Sequence, residues 1–145
     1  MIWHMAKILI VEDDLLLSRM YQRVLSSKGD EVDIAHDGEE GLEKAKSQKP
    51  DLVLLDIMLP KMNGIEVLEK LKSTPSTKAI PVIILSNLTE DTQLDEAMAK
   101  GATKYIKKVN SDPMQVADMI REIVQEKSQG KIPEKIPENK EEVNP

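Results

Sequence analysis

The chain has no cysteine and no phenylalanine, and only one tryptophan and two tyrosines among its 145 residues. Without thiols, disulfides and thiolate metal sites are excluded, and a reducing, cytoplasmic setting fits. So few rings nearly exclude the base-stacking surfaces that grip single-stranded nucleic acid, and they force an aliphatic core. The net charge of −6 argues against a duplex-binding surface built on phosphate contacts. No apolar run approaches the ~20 residues that span a bilayer, and no signal-peptide-like stretch precedes the first apolar run. A composition 40% apolar and 32% charged is ordinary for a globular protein, and the length suits one domain with a real core.

Two short apolar runs end in carboxylates. Ile8 to Val11 runs into Glu12, Asp13 and Asp14, and Leu52 to Leu55 runs into Asp56. Both runs have the length and content of strands buried on two faces. Side by side in a parallel sheet, their C-terminal ends would place three or four acids in one crevice, where open α/β sheets bind ligands. Like charges about 5 Å apart at an effective dielectric of about 20 repel by roughly 3 kcal/mol. Such a cluster implies a neutralising cation or a raised pKa put to use.

The remaining pattern gives five strand–helix units. Strands are expected at Lys7–Val11, Glu31–Ala35, Leu52–Leu55, Pro81–Leu85 and Thr103–Lys107. Helices are expected over 14–28, with Leu17, Met20, Tyr21 and Val24 on one stripe, and from Asp37, with Glu40 completing a capping box, to before Pro50. Further helices are expected over 65–72, over 90–100, and from Asp112-Pro113 to about residue 127. The first, third and fourth strands are continuously apolar and so central, and the second and fifth are more polar and so edges. Right-handed crossovers then favour a flavodoxin-like (βα)5 doubly wound parallel sheet in the order 2-1-3-4-5, whose crevice lies between the two acid-bearing strands.

The ends differ. Residues 1–5 resemble a cloning remnant, with the natural start expected at Met5. The folded part is expected over 6–127. From Ser128 periodicity stops, and Lys131-Ile-Pro-Glu134 repeats as Lys135-Ile-Pro-Glu138. The stretch 128–145 reads as a disordered, charged tail.

The constellation of Glu12 and Asp13, Asp56, Ser86 and Lys108 resembles the receiver domain of two-component response regulators. The spacings are 43 residues from Asp13 to Asp56, 30 on to Ser86 and 22 more to Lys108. The stretch from Asp51 to Pro60, followed by Met62-Asn63-Gly64, is similar to that family's signature. The resemblance implies that Asp56 is a phosphoacceptor nucleophile. It implies that Asp13, Asp56 and the Met58 backbone carbonyl bind Mg²⁺ directly, with Glu12 acting through a water. Lys108 would offset charge on the phosphoryl oxygens, with Lys107 the rival by adjacency. Ser86 would donate its hydroxyl, and Tyr105 would be the switch aromatic that turns inward as Ser86 moves. Asp14 reads instead as a helix-start acid.

The implied function is that of a stand-alone receiver or phosphorelay intermediate, with no DNA-binding or enzymatic module following. Its phosphodonor would be a histidine kinase or phosphotransfer protein. Its output would be an unidentified downstream protein meeting the surface of helix four, strand five and helix five. It would contact neither nucleic acid nor membrane, as a monomer or a phosphorylation-dependent dimer. Val109 stands where the family usually has proline, which puts the fine placement of Lys108 in question. Met58 and Leu88 are apolar at positions that influence how water reaches the acyl phosphate, so slow hydrolysis is expected.

An enzyme of the haloacid-dehalogenase type would need a second Asp where Met58 stands, and no phosphate loop for an NTPase is present. The alternative is a receiver-like interaction module that works without phosphorylation.

Overall fold

Alternation along the central strands decides the architecture. In the computed structural model, which describes residues 5–87, 91–108, 112–128 and 130, strand β1 spans Lys7–Val11, β2 Glu31–Ala35, β3 Leu52–Leu55, β4 Val82–Ser86 and β5 Lys104–Lys107. They form one parallel sheet in the order β2-β1-β3-β4-β5. Helices α1 (Leu15–Ser27), α2 (Gly38–Gln48), α3 (Gly64–Ser73), α4 (Asp91–Ala99) and α5 (Pro113–Ser128) cover it. Leu9 and Val11 of β1 join a core with Val53, Leu55, Val67, Leu71 and Ile84 on one face. Ile8 and Ile10 join Tyr21, Leu25, Leu54, Ile83, Val116 and Ile120 on the other. Strands β1, β3 and β4 are thus buried on both sides, whereas β2 and β5 are partly exposed, as their polar sequences require.

Several details depart from the sequence reading. Met20 is 44% exposed, and α1 instead buries Ser18, Tyr21 and Leu25, with Leu17 and Val24 flanking them. One residue is worth 100° of rotation, so the neighbour of a buried Tyr21 faces away. Asp37 caps α2 by accepting from Glu40 N at 2.8 Å, but Glu40 Oε1 accepts from His36 N rather than from Asp37. Strand β4 lies one residue later than expected. Pro81 has no N–H to give the ladder, and Ser86 pairs with Lys107. Leu88, Val109 and nearly all of the stretches 1–5 and 128–145 fall outside the described residues.

Candidate functional site

The sheet register gathers the acids. Val11 lies opposite Leu55, so Glu12 and Asp13 on one strand and Asp56 on the other begin the next step of chain together. Asp56 N donates to Val11 O at 3.0 Å and Glu12 N to Ala35 O at 2.9 Å, holding both residues at the C-terminal edge of the sheet. One carboxylate oxygen each from Glu12, Asp13 and Asp56 lies within 4.8 Å of the others. Glu12 and Asp56 are only 3% and 4% exposed, whereas Asp13 is open to solvent.

Lys108 follows β5 directly. Its Nζ lies 2.6 Å from Glu12 Oε1 and 3.1 Å from Asp56 Oδ2. Glu12 Oε2 also accepts from Asp14 N at 3.1 Å, and Asp56 Oδ1 accepts from Met58 N at 3.3 Å. One ammonium therefore serves two buried carboxylates. Burial pushes the Glu12 carboxyl above its ordinary range; the Lys108 and Asp14 hydrogen bonds pull it only part of the way back, and the charge of Asp56 adds to the rise. Burial alone would lower Lys108, but the Glu12 hydrogen bond and the charges of Asp56 and Glu12 outweigh it and hold the ammonium above its usual value. Both directions describe a pocket short of positive charge. An all-oxygen donor set with one acid open to solvent fits a hard divalent cation that keeps some of its waters.

The other residues singled out in the sequence are placed as follows. Ser86 is fully buried at the end of β4. Tyr105, registered with Ile84, is 37% exposed on β5. The Met58 side chain is 63% exposed beside the nucleophile candidate. Asp14 is the N-cap of α1, its Oδ1 accepting from Leu17 N at 3.0 Å.

Two contributors were not visible as site residues in the sequence. A Cβ on Gly64 would lie 2.1 Å from Asp56 O, and Gly64 N donates to Ile57 O at 2.8 Å. The loop after β3 therefore closes tightly under Asp56, and only glycine permits it. The Met62-Asn63-Gly64 turn was the available signal. His36 Nδ1 lies 3.3 Å from Glu12 O, and nothing in its sequence context marks it.

The family model of the response regulator receiver domain matches residues 8–127. The chain is 37% identical over 119 residues to response regulator ArlR of Staphylococcus saprophyticus, covering 82% of this chain and 51% of that protein. It is 35% identical over 119 residues to response regulator ArlR of Staphylococcus aureus strain Mu50, with the same coverage. The chain thus spans about half the length of the curated relatives it matches. Among solved structures, a CheY-like response regulator receiver domain protein from Methanospirillum hungatei JF-1 superposes with a TM-score of 0.80 at 31% identity, over 88% of this chain and 99% of that one. Chemotaxis response regulator CheY4 of Vibrio cholerae gives 0.76 at 29% identity, over 83% and 99%.

Proposed function

The chain belongs to the response regulator receiver domain family, and on that premise we propose that Asp56 accepts a phosphoryl group from the phosphohistidine of a histidine kinase or phosphotransfer protein. The observation that carries this reading is one buried carboxylate, Asp56, held 3.1 Å from the Lys108 ammonium beside two further acids. An Asp56 carboxylate oxygen attacks phosphorus, the P–N bond to the donor imidazole breaks, and an acyl phosphate forms. Lys108 already touches Asp56 Oδ2, so its charge is in place for the phosphoryl oxygens in a loose transition state. Asp13, Asp56 and the Met58 carbonyl would hold Mg²⁺, with Glu12 acting through a water. The cation, when bound, supplies the missing positive charge. The Ser86 hydroxyl donates to the phosphoryl group, and Tyr105 turns from its exposed position inward.

The output is a changed contact surface on α4, β5 and α5, read by a downstream protein. This makes the chain a signalling module that carries one phosphoryl group, not an enzyme with turnover. We take residues 6–127 as the folded domain, acting without direct nucleic-acid contact. No helix among the described residues is long and apolar enough to cross a membrane. The receiver reading supports a cytoplasmic location.

Beryllofluoride, which mimics the acyl phosphate, tests the reading against a phosphorylation-independent module. Amide spectra are expected to shift at β4, β5 and α4 only when both beryllofluoride and Mg²⁺ are present, and to stay unchanged in Asp56→Asn. Spectra indifferent to the mimic would favour the alternative.

A further inference from the structure

The face of α1 turned away from the sheet carries Leu16, 84% exposed, and Met20, 44% exposed. With half-buried Leu17 and Val24 they line an open groove of about 610 Å³, rimmed by Arg19 and Arg23. What sets these side chains apart from other exposed apolar residues is that they share one groove with Leu17 and Val24. We propose that its occupant is the chain's own segment 136–143, which lies outside the described residues and carries Ile136 and Val143 at its two ends.

Three observations support this occupant. The first is reach. Helices α1 and α5 both return from the acidic edge of a parallel sheet and pack side by side. Arg121 Nη2 donates to Lys28 O at 2.6 Å, and Lys28 Nζ lies 3.4 Å from Asp118 Oδ1. Helix α5 runs on to Ser128, about 10 Å past that level, and Leu16 lies about 18 Å above it along α1. Eight extended residues from Ser128 to Ile136 cover about 26 Å, and seven more to Val143 about 23 Å. Residue 136 can therefore stand beside Val24, and residue 143 beside Leu16 with slack.

The second is charge. Between the two aliphatic residues stand Glu138, Glu141 and Glu142 against a single Lys140, opposite Arg19 and Arg23. Asp14, the acid at the far end of the groove, is already committed to capping the helix.

The third is stiffness. Pro133 and Pro137 each have a ring-fixed φ, so fewer backbone states are lost on docking.

The full chain with Asn144→Cys, its single thiol, carries a nitroxide for the test, in unphosphorylated protein without Mg²⁺. The amide signals of residues 16–24 are expected to lose most of their intensity while those of α3 keep theirs. Leu16→Glu with Met20→Glu, at exposed positions that leave the core intact, is expected to restore the α1 signals. Undiminished α1 signals in the labelled chain would overturn the proposal. So would a loss that survives the double substitution, or one that fades when labelled molecules are diluted into unlabelled ones, because the occupant would then be a second copy.

Discussion

At Glu12, a buried carboxylate shares one ammonium with a second buried carboxylate. Its raised pKa means that the folded state holds a proton where the unfolded chain, near 4.5, has released it. The folded state binds more protons across that window, so stability falls as pH rises through it. Urea midpoints should show wild type losing ground to Glu12→Gln as pH climbs above 4.5, and Mg²⁺ should restore it; a pH-independent difference would contradict the assignment. Lys108 contributes with the same sign at the other end of the scale: its stabilisation is present below 10.5 and is lost as pH rises through the higher folded value. Met58 presents a thioether, a weak acceptor with little power to orient water beside the acyl phosphate. Phosphorylated Asp56 should therefore persist for minutes or longer when followed by intact mass, and decay within seconds would contradict this. That Glu12, Asp13, Asp56 and Lys108 come together could be read from the sequence, because each follows the C-terminal end of a strand and their spacings resemble those of the receiver family. The pairing of Lys108 with Glu12 as well as Asp56 could not, because it depends on side-chain reach across the sheet.

At the level of elements, the loop between β3 and α3 sets the position of Asp56, the proposed nucleophile. Gly64 opens α3, and Asn63 caps it by accepting from Glu66 N at 3.0 Å. In Gly64→Ala the new methyl must displace the Asp56 backbone. An overpacking cost of about 1–3 kcal/mol outweighs the gain of up to about 1 kcal/mol from placing Ala in a helix. Urea denaturation should show the net loss, and Mg²⁺-dependent beryllofluoride binding should weaken with it. A variant of unchanged stability and binding would show that the loop is not under this constraint. Most elements could be read from pattern: the central strands at their apolar runs, the edge strands from weaker alternation, α1 from Asp14 and α2 from Asp37, whereas Asn63 reads in the sequence only as a turn residue and the structure makes it the cap of α3. The misplaced details have local causes. The burial of α1 is centred on a serine, Ser18, which hydropathy does not flag. The α2 box closes on His36 because only the folded turn decides which amide Glu40 meets.

Taken whole, the molecule places its chemistry at one edge of a sheet covered on both sides. The 2-1-3-4-5 order could be inferred because apolar content separates central from edge strands and right-handed crossovers favour one arrangement of the centre, and this order puts the two acid-bearing strands side by side. What the sequence could not reveal is the position of Tyr105, exposed here on β5, because the proposed switch would give this ring two positions and periodicity selects neither. The central claim is that the carboxylate closing β3 takes phosphorus with the help of a divalent cation held by acids from β1. It is tested most directly by the intact mass of the full chain after incubation with acetyl phosphate and Mg²⁺. The expected result is one added phosphoryl group, labile to base, that is absent when the metal is chelated and absent in Asp56→Asn. No added mass, or an equal gain in Asp56→Asn, would contradict it.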